Sequence, residues 1–198
     1  MTTESQVHHR RSIRLEGYDY ASEGGYFITI VAHGRKCLFG SVVNEEIKLN
    51  DFGQIVMKEW FNTAKMRPNV ELFEEEFVIM PNHVHGIIWI MDRADGEVSQ
   101  ATYSPVGAYS HTPLRSPSNT IGSIIRGFKG AVTTKINTQR DRKGTPVWQR
   151  NYYDPSRKER SGAQRSRHII NSDRDYENIM EYISFNPLVW QTDKEYSG

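Results

Sequence analysis

Residues 77–91 read FVIMPNHVHGIIWIM. Apolar, β-branched stretches on either side of Pro81 and Asn82 mark two strands joined by a turn. His83 and His85 open the second strand two residues apart, so both imidazoles project from one face. Two histidines held side by side on a strand make half of a metal site. The same pattern also serves as hydrogen-bonded strand residues with no ligand. The choice depends on whether the chain supplies a further ligand and a reactive group.

Outward from this stretch the pattern stays regular. Residues 26–32, YFITIVA, entered through Gly24 and Gly25, form another strand. Residues 37–49 read as a small hairpin around Asn44 and Glu45. Asn50 and Asp51 cap a helix with Phe52, Ile55, Val56 and Trp60 at helical spacing, and it must stop before Pro68. Residues 70–80 read as one strand, interrupted in polarity by Glu74, Glu75 and Glu76, with 84–91 as its hairpin partner.

Residues 120–139 are helical, with Ile121, Ile124, Ile125, Phe128, Val132 and Ile136 on one side. Gly122, Gly127 and Gly130 each cost roughly 1 kcal/mol against Ala in such a helix, so a close approach by backbone or ligand is expected there. Residues 146–153, PVWQRNYY, read as an aromatic and basic strand. Ser172 opens a last helix in which Asp175 completes a capping-box pattern. Tyr176, Ile179, Met180 and Ile183 are its buried stripe, and Pro187 ends it. The order β-α-β-β-α-β-α predicts an α+β fold: a ferredoxin-like antiparallel sheet with helices on one face, plus an appended C-terminal helix. The histidines then lie on a central strand.

A length of 198 residues suits a single domain, taken as 18–190. A basic arm, 1–17, with Arg10, Arg11 and Arg14 precedes it, and a tail, 191–198, follows. Residues 92–119 and 155–167 read as flexible loops, the first largely disordered. No run approaches the ~18 apolar residues that a helix needs to span a bilayer, and no membrane partner is expected. The first residues carry no apolar signal core, and the single cysteine, Cys37, excludes an intrachain disulfide or a Cys-rich zinc cage. A cytoplasmic setting is the expectation. Net charge is only +1, but residues 40–80 hold four basic and eight acidic side chains, whereas 121–170 hold twelve and three. The basic segment fits a polyanion-facing side and equally a solvated basic face.

The last helix carries the candidate reactive group. Tyr182 and Asn186 are four apart, hence neighbours on the helix surface, beside the apolar stripe rather than in it. Together they could present a hydroxyl and a ligand oxygen, or Tyr182 could simply pack at the core boundary. A phenol with a pKa near 10 is a weak nucleophile at neutral pH. A divalent cation that polarises and orients a phosphate makes attack feasible. With a basic surface nearby, the matching substrate is a nucleic-acid phosphodiester. A covalent phosphotyrosine conserves bond energy, which permits rejoining as well as cutting.

MPNHVHGIIWI resembles the His-hydrophobic-His motif of the HUH endonuclease superfamily, and EYISFNPLVW resembles the tyrosine-helix motif of its single-tyrosine transposases. YFITIVAHGRKCLFG, IGSIIRGFKGAV and PVWQRNYYD are similar to the REP-associated tyrosine transposases, relatives of the insertion-sequence-200 type. The resemblance covers about residues 10–190. It implies that His83 and His85 are metal ligands, Tyr182 the nucleophile and Asn186 a further ligand from the tyrosine helix. It also implies Mg2+ or Mn2+, a 5′-phosphotyrosine intermediate with a free 3′-OH, and single-stranded or hairpin DNA with REP-like palindromes as partner, the protein acting as monomer or homodimer. Arg126, Lys129, Trp148, Arg150 and Tyr152 are the candidate DNA contacts, through basic and stacking interactions. One departure stands out: residues 155–167 separate Asp154 from His168, where the family runs from YYD almost directly into His-Ile-Ile. The rival from another class is a catalytically silent DNA-hairpin-binding protein of the same fold. A small metal enzyme unrelated to DNA would show only weak or salt-insensitive DNA binding.

Overall fold

The computed structural model describes residues 23–91, 120–149, 169–193 and 196. At its centre two eight-residue strands, β1 (Gly24–Val31) and β6 (His83–Ile90), pair antiparallel along their full length, from Gly24 opposite Ile90 to Val31 opposite His83. Both are β-branched and buried on both faces, the pattern of strands covered on either side.

After β1 a short 3-10 turn, His33–Arg35, leads to the hairpin of β2 (Gly40–Val43) and β3 (Glu46–Leu49), which turns at Asn44 and Glu45, both at positive φ. Helix α1 (Asp51–Lys65) starts where Asn50 accepts the Gly53 N–H at 3.0 Å. Then follow β4 (Val70–Glu71), β5 (Phe77–Ile79), β6, helix α2 (Ile121–Gln139), β7 (Ile169–Ile170) and helix α3 (Asp173–Phe185). In the main sheet β4 and β5 flank β6 on one side, β1 pairs with β6 on the other, and β7 lies beyond β1. This is the α+β, ferredoxin-like antiparallel arrangement expected from the element order.

The expected strand 70–80 divides into two short pieces. Glu76 and Phe77 donate their backbone N–H groups to Phe73 and Glu74, a turn that interrupts the ladder where three glutamates follow one another. Of the strand expected at 146–153, the described residues show one bridge, Trp148 opposite Ala32, with His33 N–H on Val147 and Gln149 N–H on Val31. Residues 150–153 lie outside the described residues, as do the arm 1–17 and the loops 92–119 and 155–167. The outer partner of β1 is thus filled in two pieces, at one end by the Trp148 bridge and at the other by β7.

Strand period assigns the two faces. Tyr26, Ile28 and Ile30 of β1 and Val84, Ile88 and Ile90 of β6 meet α1 and α2. Phe27 and Ile87 face the other way, where Ile183, Tyr176, Ile179 and Met180 of α3 cover them. In the first layer Trp60 stacks on Phe77 (centroids 4.3 Å, 7° between planes) and receives the edge of Phe128. Buried Glu59 pairs with Lys135 across α1 and α2, so Lys135 is a structural cation. The close approach expected at the α2 glycines occurs at Gly127, where the Arg67 guanidinium would lie 2.7 Å from an added Cβ; none exists at Gly130, where nothing lies within 4 Å.

Two glycine substitutions should therefore move stability in opposite directions. At Gly86 a Cβ would stand 2.7 Å from Trp60 Cζ2 and 2.8 Å from Phe77 Cδ2, two rings locked in their own stack. Gly86→Ala is expected to cost about 1–3 kcal/mol by overpacking. Gly130→Ala, in open space on an exposed helix face, is expected to stabilise by about 1 kcal/mol. Urea unfolding of the two variants checks both signs.

Candidate active site

The face of β6 that looks away from α1 and α2 begins with His83 and His85, both almost fully buried. Their rings lie 4.5 Å apart, centroid to centroid. Each is oriented from behind. Asn82 donates its amide Nδ2 to the Arg35 carbonyl at 3.2 Å, which turns its Oδ1 toward His83 Nδ1 at 2.7 Å. An amide oxygen only accepts, so Nδ1 of His83 carries the proton and Nε2 keeps its lone pair. Thr29 Oγ1, opposite His85 in the β1 ladder, holds His85 Nδ1 at 2.8 Å. Phe27 stacks on the other side of His85 (5.7 Å, 20°).

Helix α3 brings the tyrosine. Ser172 accepts the Asp175 N–H at 3.2 Å, and Asp173 and Asp175 occupy the first turn, where negative charge suits the helix dipole. Ile183 docks on Phe27 and Ile87, and Glu76 fixes the helix by accepting from Tyr176 OH (2.9 Å) and Trp89 Nε1 (2.7 Å). Burial raises the Glu76 carboxyl above its usual range, against the pull of those two hydrogen bonds. Tyr182, 37% exposed, then sets its hydroxyl 3.3 Å from His85 Nε2, its ring across that of His85 and edge-on to Phe27.

Beyond Pro187 the chain turns back. A 3-10 turn, Trp190–Thr192, packs the Trp190 ring near His83 (5.9 Å) and delivers Asp193. The ligand atoms of His83, His85 and Asp193 lie within 4.8 Å of one another. Asp193 Oδ2 accepts from Asn186 Nδ2 at 3.0 Å and from Tyr182 OH at 3.5 Å. Among the described residues, His83 Nε2 and Asn186 Oδ1 are buried without a hydrogen-bond partner. Orphaned buried acceptors of this kind are costly unless something binds them. Burial also holds the His83 imidazole down to about 4, with Asp193 pulling it up and Arg35 pushing it further down, so the ring is neutral and competent to ligate at neutral pH. The donor set of two imidazole nitrogens, a carboxylate and an amide oxygen fits a divalent cation.

The structure brings His83, His85, Tyr182 and Asn186 together and sets Asp193, Asn82 and Thr29 beside them. Asn82 was legible as a turn residue only, and Thr29 as a strand residue only.

The DNA-contact candidates fare differently. Trp148, expected at a DNA-facing surface, is a core residue: 6% exposed, between Phe39 (4.9 Å) and Phe128 (5.8 Å). Lys129 is half-buried, donates to the Gln149 carbonyl at 2.6 Å and is pushed down to about 8 by burial, which makes it a tie between α2 and the Trp148 segment. Arg126 is exposed on α2. Arg150 and Tyr152 lie outside the described residues. Among the described residues no helix is long and apolar enough to cross a membrane.

Fold and site together define an α+β protein that sets a His-x-His strand against a tyrosine helix. No family model matches the chain. It belongs to the family of an uncharacterized protein of Haemophilus influenzae strain Rd, to which it is 41% identical over 198 residues, 99% of both chains. Among solved structures it is similar to a REP-associated tyrosine transposase bound to a REP hairpin, with a TM-score of 0.53 and 18% identity over 91% of this chain and 77% of that one, a likeness of fold. A putative transposase from Deinococcus radiodurans R1 matches at a TM-score of 0.42 and 13% identity, over 87% and 96% of the two chains.

The Glu76 clamp carries a stability prediction. Glu76→Gln keeps the shape but leaves one of the two donors, Trp89 Nε1 or Tyr176 OH, without an acceptor. A loss of about 1–3 kcal/mol is expected, read by urea unfolding with tryptophan fluorescence as the probe.

Proposed function

We propose that the chain is a single-tyrosine, metal-dependent DNA nicking and joining enzyme of the REP-associated type, acting on single-stranded or hairpin DNA at palindromic repeats. The observation that carries this is the Tyr182 hydroxyl, 3.3 Å from His85 Nε2 and 3.5 Å from Asp193 Oδ2, beside the orphaned Nε2 of His83. A tyrosine that merely packed would have no need of two oriented imidazoles and a returning carboxylate. The likeness of fold to a transposase bound to a REP hairpin supports DNA as the partner.

His83, His85 and Asp193, with the Asn186 amide oxygen, would hold Mg2+ or Mn2+, which supplies Lewis acidity toward a non-bridging phosphate oxygen. The residues do the rest. Asn82 and Thr29 orient the imidazoles, while Phe27 and Ile183 fix the distance between sheet and tyrosine helix. Tyr182 Oη attacks phosphorus and forms the phosphotyrosine with the 5′ side of the break. Its proton passes to the Asp193 carboxylate. The P–O3′ bond breaks, and the 3′ oxygen leaves as a hydroxyl after taking a proton from solvent. Attack by a 3′-OH on the phosphotyrosine reverses the exchange and rejoins DNA.

Incubation of the protein with labelled single-stranded DNA carrying a palindromic repeat, plus Mn2+, should give a covalent protein–DNA adduct on a denaturing gel. Tyr182→Phe and chelation should each abolish it. Hairpin binding retained without any adduct from the wild-type protein would instead mark a catalytically silent DNA-binding protein. A second measurement addresses the residues behind the histidines: Asn82→Ala and Thr29→Val should each weaken Mn2+ binding by about 10–100-fold in calorimetric titration.

A further inference from the structure

A cavity of about 620 Å3 opens on the helical side of the sheet, bounded by His33, Lys36, Arg140 and Arg142 over an apolar floor that includes Leu38 and Phe52. Among the described residues no acidic side chain lines it. Its size is that of small-ligand sites, which run about 300–1,000 Å3. The basic wall is built rather than incidental. Arg140 donates Nε to Asn137 Oδ1 (2.9 Å) and Nη2 to the Thr145 carbonyl (3.2 Å). The buried Asn137 also donates to that carbonyl (3.0 Å) and accepts the Arg142 N–H on its own carbonyl (3.0 Å). The 140–145 turn is thereby fixed, and three of the five guanidinium N–H groups of Arg140 have no protein acceptor among the described residues. Lys36 and Arg142 are exposed and, among the described residues, in no ion pair.

The opposite wall is continuous with the candidate active site. Residues 32–38 leave the end of β1 that pairs with His83: Ala32 N–H bonds to the Asn82 carbonyl, and Asn82 Nδ2 bonds to the Arg35 carbonyl. The turn that contributes His33 and Lys36 to the cavity is therefore the one that orients Asn82 and, through it, His83. We propose that this cavity is a second DNA subsite, which takes the phosphodiester of a single strand on Lys36, Arg140 and Arg142 with a base against Phe52, and leads the strand around the end of the sheet toward Tyr182. It rests on the DNA reading above. Clustered cations that match phosphates, together with an aromatic ring for stacking, form the recognition chemistry of single-stranded nucleic acid. An acidic peptide would use the cations alone.

The test is binding of a fluorescein-labelled oligodeoxythymidylate, which forms no hairpin, in chelator so that tyrosine chemistry is silent. Lys36→Ala combined with Arg142→Ala should weaken binding roughly tenfold and lower the slope of log K against log salt by about 1.4, from two phosphate contacts at about 0.7 each. Lys65→Ala combined with Arg174→Ala, which removes the same charge from exposed positions elsewhere, should change neither quantity comparably, with all variants checked for an unchanged thermal transition. Equal binding and equal slopes for the two double variants would overturn the subsite while leaving the DNA reading intact. No oligodeoxythymidylate binding by the wild type would also overturn the subsite, and only a failure to bind the palindromic hairpin as well would bring down the DNA reading.

Discussion

The antiparallel ladder between β1 and β6 is the constraint from which the rest of the molecule follows. Eight consecutive residue pairs fix the register, and with a side-chain period of two a slip of one residue would exchange the two faces entirely. In the register present, Val84, Ile88 and Ile90 enter the layer under α1 and α2, while His83 and His85 come up on the opposite face beside Phe27 and Thr29 of β1. On the helical face, between Val84 and Ile88, Gly86 leaves room for the stacked rings of Trp60 and Phe77, which already fill that space. The apolar core thus determines where two imidazoles stand, and it does so through backbone pairing rather than through any contact the imidazoles make.

The second layer is thin, and its few contacts are specific. Phe27, Ile87 and Ile183 form its apolar centre, and the Glu76 carboxylate, with one bond from β6 and one from α3, fixes the helix on the sheet. Fixing α3 fixes Tyr182. A catalytic constellation has to be held within fractions of an ångström, which is easier on a helix clamped to a sheet than on a loop. The return of the chain through Trp190 closes the site from the remaining side and supplies a carboxylate beside both the tyrosine and the histidines.

Much of this was legible in the sequence where local rules act over a continuous element. His-x-His on an apolar strand, the caps at Asn50 and Ser172, and the tyrosine one helical turn before Asn186 all survive unchanged. What was not legible depends on tertiary packing. An aromatic residue such as Trp148 has the same strand signature whether it packs on Phe39 or faces a base. Ile169 and Ile170 are too short a pair to show any period, so the strand they add to β1 stayed hidden. Asp193 lies past Pro187 and a 3-10 turn, where helical spacing no longer relates one residue to another, so the sequence left it in a terminal tail. Lys129 and Lys135 counted as surface charge in the sequence, yet one ties α2 to a backbone carbonyl and the other neutralises buried Glu59.

In the proposed reading, His83, His85 and the α3 side of the site converge on one cation beside Tyr182. Crystals soaked in Mn2+ test it directly through anomalous scattering. A single strong peak is expected within bonding distance of Nε2 of both histidines, with Asp193 or Asn186 contributing oxygen and Tyr182 Oη close by. A protein saturated with Mn2+ that shows no peak there, or whose only peak lies elsewhere, would contradict it.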